Sequence, residues 1–256
     1  MRILITNDDG IQGPGLEALT RWAQKLGEVT VCAPKYEQSA KSHAIEIHKP
    51  FEALQVDYLP GITAYAVDST PADCVRFAIL GMHRQYDLVL SGINKGLNIG
   101  RDIMYSGTVS AIMEAACLNT KAIAFSTEPD SFDTAIRYLD SIYDLIQRNN
   151  LLQINDLYNV NIPLKVNGIR ITRQGGPYFS DDFHPIGDHM HQPVGHSIYV
   201  DHHDYGIDTD ATLHNYISVT PLTLERTNLK VFDALCHMNQ TCHTSWEVSS
   251  PQLSMP

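Results

Sequence analysis

Basic residues are scarce in this 256-residue chain: Lys and Arg total 18 against 29 Asp and Glu, a formal charge of −11. That balance disfavours a broad electrostatic grip on duplex DNA or anionic lipid, so any phosphate must be held locally. Cysteine is sparse as well. Cys32, Cys74, Cys117, Cys236 and Cys242 are odd in number and show no CxxC spacing, which argues against a zinc ribbon or a disulfide framework and for a reducing compartment. Apolar runs stay short, with nothing near the roughly 18 consecutive residues of a membrane-spanning helix. The N-terminal run Ile3-Leu4-Ile5 meets Asp8 and Asp9 before a signal-peptide core can form, so the expected location is cytoplasmic. Walker A, GxSxG and HExxH motifs are all missing.

What is present is a globular composition, 43% hydrophobic, arranged in alternating strand-like and helix-like segments. Arg2 to Thr6 and Glu28 to Ala33 read as strands flanking a helix in which Leu16, Leu19, Trp22, Ala23 and Leu26 recur at helical spacing until Gly27. Tyr86 to Ser91 and Lys121 to Ser126 are further strand-length runs, separated by a Gly-rich loop and a helix from Val109 to Leu118. This alternation predicts an α/β fold with a mainly parallel sheet, whose ligand site lies at the carboxyl ends of the strands. Phe132 to Arg148 reads as a long amphipathic helix closing a first half, residues 1–150. Residues 151–256 would complete the core, with strands at Tyr158 to Ile162 and Gly168 to Thr172. The stretch Gln174 to Asp210, rich in Gly, Pro, His and Asp, is too long for an ordinary connection and reads as hairpins or an arm packing on something, such as another subunit.

Three polar clusters fall at predicted strand ends. Asn7-Asp8-Asp9-Gly10 places two adjacent carboxylates there; they need a counter-charge, and oxygen donors without Cys or His suit Mg²⁺, Mn²⁺ or Ca²⁺ better than zinc. An Asx-turn with helix capping explains the same tetrapeptide without any ion. Ser91 to Gly100 (SGINKGLNIG) can wrap a small ligand, with Asn94 offering a carbonyl oxygen and glycines letting backbone N–H groups approach an anion; a generic Gly/Asn turn is the alternative. Tyr105-Ser106-Gly107-Thr108-Val109 leads into a helix, where free N–H groups and the helix dipole favour an anion and Ser106 and Thr108 add hydroxyls. Simple N-capping by Ser106 or Thr108 is compatible with that reading. Asp73 fits the first turn of a helix from Cys74 to Met82, which requires no function. His184, His189, His191, His196, His202 and His203 crowd one region, but Pro185, Gly187, Pro193 and Gly195 break it and the spacings match no compact ligand set, so they read as solvated loop residues.

Taken in order, NDDG (Asn7 to Gly10), STPADCV (Ser69 to Val75), SGINxGxNxG (Ser91 to Gly100), YSGTV (Tyr105 to Val109) and NVNIP (Asn159 to Pro163) resemble the SurE family of stationary-phase survival phosphatases. The resemblance implies a Rossmann-like three-layer core with a C-terminal β-hairpin arm used in assembling a homodimer or homotetramer. It implies a metal-dependent 5′-nucleotidase acting on nucleoside monophosphates, with 3′-monophosphates and short polyphosphate as open alternatives. Carried over residue by residue, one divalent ion per subunit, Mg²⁺ or Mn²⁺, would be held by Asp8, Asp9, Ser39 and Asn94. Asp8 and Asp9 would be the catalytic acids, and Asn98, Ser106, Gly107 and Thr108 would lie nearest the phosphate. Departures from the family pattern are Asp68-Ser69 before Thr70-Pro71, the stretch YEQSAKSH around Ser39, where Lys41 takes the place of an arginine, and the histidine-rich segment.

Phosphomonoester hydrolysis needs charge neutralisation, an in-line water and a stabilised leaving oxygen, all of which this residue set can supply, with Lys95 and Arg101 as further cations. A covalent aspartyl mechanism would need a second acid two residues on, where the chain has Gly10 and Ile11. A non-catalytic module that binds metal and nucleotide without turnover would carry the same features, and phosphate release separates the two.

Overall fold

A computed structural model describes residues 1–129 and 131–238. The chain divides into two compact units, Met1–Leu224 and Glu225–Pro256. Within the first, β1 (Arg2–Thr6), α1 (Pro14–Ala23) and β2 (Glu28–Pro34) form the expected βαβ unit. Then come β3 (Ala53–Val56), β4 (Thr63–Val67), α2 (Pro71–Arg76) with a π-helical turn over Phe77–Gly81, and β5 (Leu88–Lys95). A 3₁₀ turn (Gly100–Tyr105) leads into α3 (Gly107–Cys117), followed by β6 (Ala122–Thr127), α4 (Phe132–Arg148), α5 (Leu151–Ile154) and β7 (Leu157–Ile162). β8 (Gly168–Ile171), β9 (Phe179–Gly187), β10 (Met190–Ser197), α6 (Asp208–Leu213) and β11 (Tyr216–Leu222) complete this unit. The second unit contains α7 (Leu229–Leu235) and a short 3₁₀ turn, Cys236–Met238; Cys242 lies outside the described residues.

Nine strands form one sheet in the order β3-β4-β2-β1-β5-β6-β7-β11-β8. From β4 to β7 every neighbouring pair is parallel, whereas β3 and β11 pair antiparallel with β4 and β7. The strand order reverses at β1, flanked by β2 and β5, so the crevice at the carboxyl ends of β1 and β5 is the topological switch point. Alternation along β1 builds two cores: Ile3 and Ile5 pack with α1 and α4 on one face, Leu4 with α2 and α3 on the other. This is the three-layer Rossmann-like architecture expected. β9 and β10 pair antiparallel as a separate two-stranded ribbon, the expected arm.

Several sequence-based boundaries need correction. The first helix ends at Ala23 rather than near Gly27, because the chain turns at Gln24 to return to β2. The strand expected over Tyr86 to Ser91 is β5, which begins at Leu88 and runs on through half of the supposed loop to Lys95, with a bulge between Ser91 and Asn94. The helix placed at Cys74 to Met82 starts earlier, at Pro71, under a Thr70 cap whose hydroxyl accepts from Asp73 N. Strands β3, β4 and β11 carry weak periodicity and lay outside the sequence reading. No helix among the described residues is long and apolar enough to cross a membrane.

Candidate active site

Strand β1 ends in Thr6 and delivers Asn7, Asp8 and Asp9 to the switch point. Gly10, at φ +93°, reverses the chain there, a conformation L side chains resist. Asn7 Nδ2 closes the turn by donating to the Gly10 carbonyl at 2.9 Å. The adjacent β2 loop docks on the same spot, with Ile11 N donating to Pro34 O at 2.7 Å and Gln38 N donating to Asp8 O at 2.8 Å. Asp8 is thus 4% exposed.

Helix α3 meets Asp8 end-on. The Thr108 hydroxyl donates a short hydrogen bond to Asp8 Oδ1. A Cβ on Gly107 would stand 2.8 Å from Asp8 Cβ and 3.1 Å from its Oδ2; only glycine lets the helix start so close. Ser106 caps the helix by accepting from Val109 N at 3.1 Å. The N-cap reading and the anion-seat reading therefore fall on the same turn.

Two carboxylates sit side by side with little solvent. Burial pushes the Asp8 carboxyl up to about 6; the Thr108 hydroxyl opposes this and the Asp9 charge adds to it. Burial also raises Asp9, against the Lys95 backbone N–H, which donates to Asp9 Oδ2 at 3.3 Å, and the charge of Glu37 raises it further. Asn94 donates its amide N–H to Gly96 O at 2.8 Å, leaving its Oδ1 as the ligand-capable atom. Thr6 Oγ1, Asn7 Oδ1 and Ser91 Oγ are buried at these strand ends without a hydrogen-bond partner. Two adjacent, desolvated carboxylates raised above their ordinary range, with further oxygens unpartnered at the same strand ends, fit a hard divalent cation.

The remaining expected residues lie at the rim or beneath it. Ser39 is exposed, next to the docked Gln38, and its hydroxyl donates to Glu37 Oε1 at 2.7 Å. Asn98 is held from below: its N–H donates to Asn161 Oδ1 at 2.7 Å, its carbonyl accepts from Asn159 and Asn161 at 2.8 Å each, and its Nδ2 donates to Ser126 Oγ at 2.7 Å. The two asparagines of β7 thus position the β5 loop. Their signal was legible in principle, as polar residues two apart in an otherwise apolar strand. No sequence signal marked Asp208, whose carboxylate accepts from Gly100 N and Gly175 N at 3.0 and 2.7 Å, or Glu114 of α3, which receives His43 and Arg76 at 2.8 Å each.

A family model described as Survival protein SurE matches residues 3–181. The chain belongs to the SurE family. It is 38% identical over 253 residues to a 5′-nucleotidase SurE of Natranaerobius thermophilus, spanning 92% of this chain and 97% of that protein. A 5′-nucleotidase SurE of Syntrophotalea carbinolica is 39% identical, across 94% of this chain and 98% of its own length. Among solved structures, the SurE protein of Aquifex aeolicus superposes with a TM-score of 0.76 at 32% identity, covering 93% of this chain and 99% of that one. The SurE match spans all three strand-end clusters.

Proposed function

We propose that this SurE family member is a divalent-metal-dependent phosphomonoesterase that hydrolyses nucleoside 5′-monophosphates to nucleoside and phosphate. One observation carries the reading: a buried, ion-demanding carboxylate, Asp8, is in direct contact with the N-terminus of α3. A cation seat abuts an anion seat, the pairing a phosphate monoester dianion requires. The relatives named 5′-nucleotidase SurE support the same substrate class.

Asp8, Asp9, Asn94 and Ser39 would hold the ion, which when bound supplies Lewis-acid polarisation of a phosphoryl oxygen and a lowered pKa for water. Mg²⁺ or Mn²⁺ suits this all-oxygen set. Thr108 fixes the Asp8 carboxylate through its hydroxyl, and the Ser106–Thr108 turn cradles the phosphate oxygens with backbone N–H groups at the positive end of the helix dipole. Asn98 borders this cradle from the β5 side. Asp9, the more accessible acid, orients a water and accepts its proton as the new P–O bond forms, and the bond to the nucleoside oxygen breaks with that oxygen taking up a proton from solvent to leave as the alcohol. The β9–β10 arm, with Phe183, Ile186 and Met190 exposed, mediates homo-oligomer assembly.

The test is phosphate release from nucleoside 5′- and 3′-monophosphates with Mn²⁺, Mg²⁺ or EDTA, for wild type and Asp8→Asn. Metal-dependent release that falls at least a hundredfold in the variant is expected. Saturable nucleotide binding by folded wild type without release under any ion would replace the enzyme with a binding module.

A further inference from the structure

The histidine-rich region contains an arrangement that its spacing hides. His203 lies in the loop that follows the arm and His214 at the end of α6, and both imidazoles converge on one carboxylate. Asp201 Oδ2 is 2.7 Å from His214 Nε2 and 3.2 Å from His203 Nδ1. One donor atom from each of the three residues lies within 4.8 Å of the others. Zinc–nitrogen bonds of about 2.0–2.1 Å place neighbouring donors of a tetrahedral site roughly 3.3 Å apart, so side-chain adjustments alone close this set around an ion.

We propose that Asp201, His203 and His214 form a second metal site, separate from the oxygen-lined switch point, that takes a borderline transition ion, Zn²⁺ foremost, and leaves one coordination position to solvent. Two imidazoles and one carboxylate are the donor class that selects Zn²⁺, Co²⁺ or Ni²⁺ over Mg²⁺. The neutral rings would bind through His203 Nδ1 and His214 Nε2, each carrying its single proton on the other nitrogen.

The scaffold behind this triad is held in place. The buried Asp210 carboxylate accepts from His202 N and Asp204 N at 3.0 Å each and from the Tyr199 hydroxyl at 3.1 Å, which fastens the loop to α6. Asp201 Oδ1 is occupied by His203 N at 2.8 Å, so Oδ2 is the atom presented to the two rings. Tyr205 packs against His214 with ring centroids 5.1 Å apart and against Tyr216 at 5.3 Å, restraining the second imidazole from behind. Access remains open, because the His203 side chain is 77% exposed while Asp201 and His214 are about one-third exposed.

The site is read with Co²⁺ as a spectroscopic probe on the EDTA-stripped full-length chain, in excess Mg²⁺ to saturate the oxygen-lined site. Wild type should bind one Co²⁺ with the visible absorption of a tetrahedral complex and release it to Zn²⁺. His203→Ala and His214→Ala should each weaken binding by more than tenfold, since even loss of an outer partner costs about 10–100-fold. His191→Ala, in the arm, should bind as wild type. Circular dichroism confirms that each variant is folded, and Asp201→Asn provides a near-isosteric third ligand variant. Absence of the tetrahedral spectrum in wild type, or its retention in both histidine variants, overturns the proposal.

Discussion

At Gly107 the absence of a single carbon decides how closely helix α3 approaches Asp8. Gly107→Ala would put a methyl group 2.8 Å from Asp8 Cβ, and either the helix start or the carboxylate must yield. A displacement of this kind near reacting atoms costs on the order of 10²-fold in rate. Steady-state kinetics on a nucleoside monophosphate should show kcat/KM falling by about that factor, and the urea midpoint should fall too, since overpacking a buried contact costs about 1–3 kcal/mol. Thr108→Val tests the neighbouring contact. It keeps the shape and removes the hydroxyl that donates to Asp8 Oδ1, so a drop of roughly 10-fold or more is expected, in keeping with loss of one hydrogen bond to a charged group. At this scale the sequence was most informative: NDDG, SGIN and YSGTV are short, local and chemically loaded, and the structure brings Asp8, Asp9, Gly107 and Thr108 to one point. What it could not show was the atom on which each contact is made.

At the scale of elements, β7 acts as a foundation for the β5 loop. Asn161 is fully buried and both donates to and accepts from the Asn98 backbone. Asn161→Ala would leave the Asn98 N–H without its acceptor, a loss of about 1–3 kcal/mol. Urea unfolding should report that loss, and activity should fall even though the residue touches no substrate. Elements with strong periodicity were legible: α4 runs over Phe132–Arg148 as expected, and β1 and β6 lie where their apolar runs place them. β3 was not, because its residues are half-buried or exposed at the edge of the sheet and alternate weakly. β5 was misjudged for the opposite reason. Glycines and amides that resemble a turn are absorbed into the strand by its bulge, so composition and conformation part there. The triad at Asp201 escaped notice because His214 belongs to a different segment from His203, and only the fold makes them neighbours.

For the whole molecule, acid stability has an identifiable contributor. Burial pushes the Glu114 carboxyl up, but hydrogen bonds and charges from His43 and Arg76 outweigh it and leave the group below its ordinary value. A depressed carboxylate binds fewer protons in the native state than in the unfolded chain through this range. Its stabilisation is therefore complete above the ordinary carboxylate pKa of about 4.3 and is lost as pH falls through the lower native value. Glu114→Gln should cost about 1–3 kcal/mol at pH 7, where the charge-assisted bonds are lost, and should flatten this acid limb. Chemical denaturation of both proteins between neutral and acid pH measures it, with His43, the imidazole bonded to Glu114, replaced in a parallel variant to separate its contribution. The proposed assembly through the arm is tested at the same scale. Phe183→Asp, on the exposed arm, should shift the light-scattering mass of the protein toward a single chain, and a wild type that is already monomeric at micromolar concentration would contradict the assembly role.

The far end of the sheet imposes an order in time. Among the described residues β8 pairs only with β11, and β11 reaches the sheet by pairing with β7. During synthesis β8 therefore leaves the ribosome with no partner, followed by the whole arm and α6, and must wait until β11 arrives to seat it. The strands from β1 to β7, with Asp8 and the start of α3 among them, emerge first and can close without it. A chain halted between β8 and β11 would thus hold a nearly finished core that lacks the Asp208 brace on Gly100 and leaves the β7 edge unpaired, a state open to edge-to-edge pairing with another chain.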